Sequence, residues 1–186
     1  MDLGLKDKVA LVSGAGSPGG LGAAIVDALA EEGVHIFACD MAPEQDDDAP
    51  PSMLAADPIA QGLGEGVAAA KARGVDAISA RADLSEPEEV EALVARARNH
   101  FGQVDILVNV AGGSWGANRV GEYDVDAWRR TMEVNLYGVF LMTREILPMM
   151  EQQDGGAIVN VSAIAALRSH PMASAYGAAQ AGVAQF

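Results

Sequence analysis

Short apolar runs alternate along this chain with longer stretches in which hydrophobic residues recur every three or four positions. The runs have strand length and the periodic stretches have helix length, so the alternation predicts a doubly wound parallel α/β sheet. KVALVSG (8–14) reads as a buried strand, GLGAAIVDALAEEG (20–33) as a helix stopped by Gly33, and HIFACD (35–40) as the second strand. DAISARAD (76–83) predicts a third strand. SEPEEVEALVARARNHFG (85–102) predicts a helix opened by a capping box of Ser85 and Glu88 and closed by Gly102. A fourth strand is expected at 105–112 and a fifth at 156–163. Between them a long helix should run over 126–151, with Pro148 bending or fraying its end, and a last helix begins near Ser174.

Two stretches break this rhythm. Residues 41–56 form an acidic, proline-rich insertion between the second strand and its helix, and read as a solvated surface loop. At the other end, AYGAAQAGVAQF stops at Phe186 with no cap, glycine or basic last turn, as if cut inside the helix that bears Tyr176. There are no internal repeats and no sign of a second domain, so residues 1–186 are expected to form one.

Composition narrows the function. With 186 residues, half of them hydrophobic, the chain can bury a core and is not a disordered tail. Its formal charge of −14, from 26 acidic and 12 basic side chains, repels nucleic acid and anionic membrane surfaces. No apolar run of about 18 residues exists to span a bilayer, and the early acids of MDLGLKDK do not suit a signal peptide. A lone cysteine, Cys39, allows no internal disulfide, which fits a reducing compartment; the expectation is a cytoplasmic protein.

The chemistry starts at SGAGSPGGLGAAI, a glycine cluster between a buried strand and a helix. Backbone N–H groups at such a helix start face an anion, and glycines let the chain approach a pyrophosphate. Two registers fit: Gly14, Gly16 and Gly19 as G-x-G-x-x-G, or Gly16, Gly20 and Gly22 as G-x-x-x-G-x-G. Asp40 ends the second strand, where a carboxylate can accept from an adenosine ribose and repel a 2′-phosphate. No Arg or Lys follows closely, so NAD is expected over NADP.

These stretches, taken with several others, resemble the short-chain dehydrogenase/reductase family over essentially the whole chain. The loop 14–22, including Leu21, is similar to the family's T-G-x-x-x-G-x-G, two residues longer and with Ser13 or Ala15 where threonine is usual. Asp83 and Leu84 in ADLS look like its adenine-pocket pair, and Asn109, Val110, Ala111 and Gly112 resemble N-N-A-G. Asn135 in MEVNLYGVF matches the helix asparagine that holds a proton-relay water, while IVNVSA and AYGAAQAG resemble the serine strand and the Y-x-x-x-K helix. The resemblance implies a Rossmann fold that lacks the family's last strands and an NAD(H) lying across the strand ends. It implies hydride exchange with an alcohol or ketone, with Tyr176 as acid/base and pairing of copies through helices 126–151 and 174–186. The apolar Leu136, Val139, Phe140, Leu141 and Met142 of the first of these helices support that pairing.

The catalytic set departs from this pattern. Gln180 stands where the family has lysine, and Ala163 stands thirteen residues before Tyr176, where it has serine. Ser162 is adjacent, but neighbours on a strand point to opposite sides, so it serves only if the local chain rotates it inward. A free tyrosine has a pKa near 10, leaving about one in a thousand ionised at neutrality. A neighbouring cation stabilises the phenolate; glutamine offers hydrogen bonds without charge. The alternative reading is therefore a dinucleotide-binding pseudoenzyme or oligomerisation module. Gly112, Gly113, Ser114 and Trp115 are expected to line the cleft, with Arg168, His170 and Met172 near its mouth.

Overall fold

The computed structural model describes residues 3–41, 57–153 and 155–186. Of the acidic insertion 41–56, all but Met41 lies outside the described residues. Five strands, β1 (Val9–Ser13), β2 (His35–Asp40), β3 (Ala77–Arg81), β4 (Ile106–Asn109) and β5 (Ala157–Asn160), form one all-parallel sheet in the order β3-β2-β1-β4-β5. The connections carry α1 (Leu21–Glu31), α2 (Pro58–Ala72), α3 (Pro87–Phe101), α4 (Val125–Met132) and α5 (Gly138–Gln152), and α6 (Ser174–Gln185) follows β5. This is the expected single-domain α/β architecture. Strand order reverses between β1 and β4, so the crevice of this topology opens at their carboxyl ends.

Each face of the sheet buries its own half of the core. Leu11, Phe37, Cys39 and Leu107 pack under Val90, Leu93 and Val94 of α3 and under Leu141, Met142 and Ile146 of α5. Ala10, Val12, Ile36 and Ala38 pack under Val26 and Ala30 of α1 and Leu63 and Ala70 of α2. Burial on both faces explains why β1 and β2 read as continuous apolar runs. Full burial of a side chain such as Phe37 or Leu11 contributes about 1.5–3 kcal/mol. Cys39 is sealed inside, and burial, with the neighbouring Asp40 charge, pushes its thiol pKa far up. β3 and β5 are the edge strands, and Val159 is 49% exposed on β5.

Three local expectations need correction. Ser85 and Glu88 do not cap α3: the helix starts at Pro87, its cap residue Glu86 makes no side-chain bond, and Ser85 Oγ donates instead to Asp83 Oδ1 at 2.7 Å. Pro87 fixes φ at the first helical position and holds Glu86 extended, which moves the start past the serine. The long helix is α4 and α5 joined by a π-helical turn, Glu133–Tyr137, with Asp124 Oδ1 capping its start by accepting from Ala127 N. α5 runs on through Pro148 to Gln152, forfeiting the one ladder bond that proline cannot donate. Finally, β5 stops at Asn160, so strand alternation does not govern Ser162 and Ala163.

Candidate functional site

The loop after β1 is shaped by two close approaches. Gly14 has φ +67° and lies where a Cβ would come within 2.7 Å of Ala111 N; a Cβ on Gly22 would lie 2.2 Å from Gly14 O. Neither position admits another residue without moving backbone. Gly16 is crowded from the other side by Ile59 and Asp40, whereas Gly19 has open space at φ +69°. The tight set is Gly14, Gly16 and Gly22, which cuts across both registers read from the sequence. Gly20 caps α1 without a side-chain bond, no acid sits in the first turn, and Leu21 is exposed at the opening. The partial positive charge of that helix start is left to the loop.

Ser13 ties loop and neighbouring strand together. Its Oγ accepts from Val110 N and Ala111 N at 3.1 and 3.2 Å and donates to Val108 O at 3.4 Å. Asn109 is buried, and its Nδ2 donates to Asn160 Oδ1 at 2.8 Å, so the ends of β1, β4 and β5 form one braced rim. Asp40 Oδ2 accepts from Gly16 N at 2.7 Å and Oδ1 from Met41 N at 2.8 Å. Each oxygen keeps a lone pair for a further donor.

Two cations stand near Asp40 that sequence distance concealed. Arg81 is its register partner on β3, paired with Asp57 at 2.7 Å. Arg130 of α4 touches Met41 Sδ at 3.2 Å and pairs with Asp83 and Ser85. Burial raises the Asp83 carboxyl, but the bonds from Arg130 and Ser85 outweigh it and hold the pKa below the usual range. A pocket of about 50 Å³ lies between Asp40, Met41, Asp83, Leu84, Ala111 and Trp115.

The other half of the cleft centres on Asn135, which is buried in the π-helical turn. Its Nδ2 donates to Thr131 O at 2.7 Å and Gly113 O at 2.6 Å; its Oδ1 accepts from Gly113 N and Gln180 Nε2, both at 3.2 Å. A Cβ on Gly112 would meet Asn135 Oδ1 at 2.6 Å. Gln180 is 6% exposed, and its Oε1 is buried without a partner. Tyr176, half-buried, sits one helical turn earlier on α6.

Ser162 is exposed, and its Oγ donates to the main-chain carbonyl of Gln180 at 3.0 Å. That side chain is tied to the backbone of α6. Ala163 opens a 3₁₀ turn, Ile164–Ala166. Arg168, His170 and Met172 are all exposed, and Met172 has a left-handed φ of 65°. Trp115 is fixed by Thr131 Oγ1, which accepts from its main-chain N–H at 3.1 Å, and by Tyr123 OH, which donates to its main-chain carbonyl at 3.0 Å.

An uncapped helix start, glycines with no room for side chains, and the acceptor carboxylates of Asp40 and Asp83 thus lie together at the carboxyl-end side of the sheet. The family model for short chain dehydrogenase matches residues 8–186. Over 178 residues the chain is 37% identical to cis-4-hydroxycyclohexanecarboxylate dehydrogenase of Sinomonas cyclohexanicum, covering 96% of this chain and 64% of that relative. Among solved structures it is similar to NAD+-bound xylitol dehydrogenase (TM-score 0.82, 29% identity, 96% of this chain and 62% of that one). It is also similar to an actinorhodin polyketide ketoreductase with NADPH (TM-score 0.81, 31% identity, 97% and 62%). The chain spans less than two thirds of the length of each of these three. Among its described residues, no helix is long and apolar enough to cross a membrane. Since the match takes in every strand and both halves of the cleft, the chain belongs to the short chain dehydrogenase family.

Proposed function

We propose that this chain carries the nucleotide site and part of the catalytic site of an oxidoreductase that exchanges hydride between NAD(H) and a small alcohol or ketone in the cytoplasm. The observation that carries the reading is the loop built by Gly14 and Gly22, whose missing side chains bring an uncapped helix start against the rim of β1 and β4. A bound nicotinamide would supply the carbon that takes or gives the hydride. Asp40 would accept from the adenosine ribose, with Gly16, Gly20, Leu21 and Gly22 around the pyrophosphate and Asp83, Leu84, Asn109, Ala111 and Gly112 along the remainder.

Tyr176 would hold the transferred proton at its phenol oxygen. Asn135 and Gln180 would orient the nicotinamide side of the cleft through their shared hydrogen bond. Ser162 would contribute through α6 rather than by direct contact, since its hydroxyl is committed to the Gln180 carbonyl.

The preference for NAD rests on Asp40 and on the pairing of both nearby cations, Arg81 with Asp57 and Arg130 with Asp83, which leaves neither uncompensated for a 2′-phosphate. Fluorescence titration is expected to give at least tenfold tighter binding of NADH than of NADPH. A preference for NADPH removes the role given to Asp40.

We also propose that copies pair through α5 and α6. Val139, Leu141 and Met142 are buried within the chain, but Tyr137, Phe140, Leu147 and Phe186 stay 41–56% exposed. Tyr137 stacks on Phe140, which meets Phe186 edge-on, so the exposed rings make one continuous apolar patch. Sedimentation at tens of micromolar should show a dimer or larger; monomer alone refutes the pairing.

A further inference from the structure

Arg130 gathers residues from three separate segments, those that follow β2, β3 and β4. Its guanidinium bonds Asp83 Oδ2 and Ser85 Oγ, reaches Met41 Sδ at 3.2 Å, and lies over the Trp115 ring at 5.4 Å from the centroid. Three of the groups it touches, Met41, Asp83 and Trp115, line the same pocket of about 50 Å³. A planar fork can hold a carboxylate and a hydroxyl while its face stacks on an indole; an ammonium cannot do all three.

We propose that Arg130 is a positioning residue for the base of the nucleotide: it fixes the Asp83 carboxylate and the Trp115 ring as adjoining walls of a slot for an aminopurine. The inference rests on the nicotinamide-dinucleotide reading above, in which the resemblance already puts Asp83 in the adenine pocket, and adds to it the residue that holds that carboxylate and the Trp115 ring in place. Asp83 Oδ1 already accepts twice from Ser85, through N at 3.0 Å and Oγ at 2.7 Å. Oδ2 accepts from Arg130 and keeps one lone pair, which suits an exocyclic amino group. A purine lacking that amino group leaves the lone pair unsatisfied in a confined place, and such a loss is discriminated strongly.

The slot as it stands is far smaller than the about 300–1,000 Å³ of ordinary ligand clefts. Entry of a base therefore displaces a wall. The flexible Met41 thioether gives way most easily, while Asp83 stays clamped between Ser85 and Arg130.

Calorimetric titration with 5′-AMP and 5′-IMP, which differ at the exocyclic amino group, separates base positioning from general bracing. The wild-type protein is expected to bind AMP at least tenfold tighter than IMP, and Arg130→Met to lower that ratio to within about threefold. Arg130→Lys, which keeps the charge and loses the fork, should fall between them, and it tests the idea if Arg130→Met does not fold. A structural brace alone would weaken both nucleotides together and leave the ratio intact, which overturns the proposal. If wild-type protein binds NADH yet shows no AMP preference, the slot is not a base site. If it binds neither NADH nor AMP, the dinucleotide reading itself falls.

Discussion

Introducing Gln180→Lys and Ala163→Ser together is expected to raise alcohol oxidation near neutral pH by between about a hundredfold and a thousandfold. The upper figure follows from about three units of phenol pKa, or about 4 kcal/mol, that a cation beside Tyr176 can supply and an amide cannot. The site can receive the change. Asn135 Oδ1, which now accepts from Gln180 Nε2 at 3.2 Å, can accept from an ammonium in its place. Ala163 stands just beyond β5 and is not fully buried, so one hydroxyl adds little strain. The ammonium loses hydration there, so Gln180→Lys alone should lower the melting temperature. Initial rates of NADH formation across an alcohol panel, with nucleotide affinity measured in parallel, decide the matter. Intact NADH binding with no gain in turnover would assign the chain to nucleotide binding without hydride transfer.

A second large effect is expected from two glycines of α2 that are two residues apart. A Cβ on Gly62 would lie 2.0 Å from Gly16 O, whereas Gly64 has nothing within 4 Å. Gly62→Ala must push α2 off the nucleotide loop. It should cost about 1–3 kcal/mol, as overpacking does, and weaken NADH binding because Gly16 also donates to Asp40. Gly64→Ala adds a helix-favouring methyl in open space and should stabilise by about 0.5–1 kcal/mol with unchanged affinity. Denaturant melts of the two variants should move in opposite directions. Equal shifts would show that the contact between α2 and Gly16 has no bearing on the loop.

β1 and β2 were legible because burial on both faces writes them as apolar runs, and Gly33 and Gly102 marked helix ends with left-handed φ of 81° and 78°. The start of α3 was misread because Ser85 and Glu88 have capping-box spacing whether or not Pro87 postpones the helix. The π-helical turn around Asn135 left no mark, since one extra residue per turn barely disturbs a 3.6-residue period over so short a stretch. In the candidate site, the glycines and Asp40 could be found from local spacing. The Arg130–Asp83 pair could not, because 47 residues separate its members and only the crossover between β3 and α4 brings them together. The same holds for Arg81, whose place beside Asp40 is a matter of strand register.

Cys39 gives the molecule a reporter of its own. The thiol is wholly enclosed between the sheet and the helices α3 and α5, and the Cys39 carbonyl accepts from Ala15 N in the glycine loop at 3.1 Å. An alkylating reagent can reach that sulfur only when the packing of helices on the sheet opens, so the labelling rate measures how often the core there opens. Any ligand that grips the loop must slow that rate in proportion to its occupancy, whether or not chemistry follows.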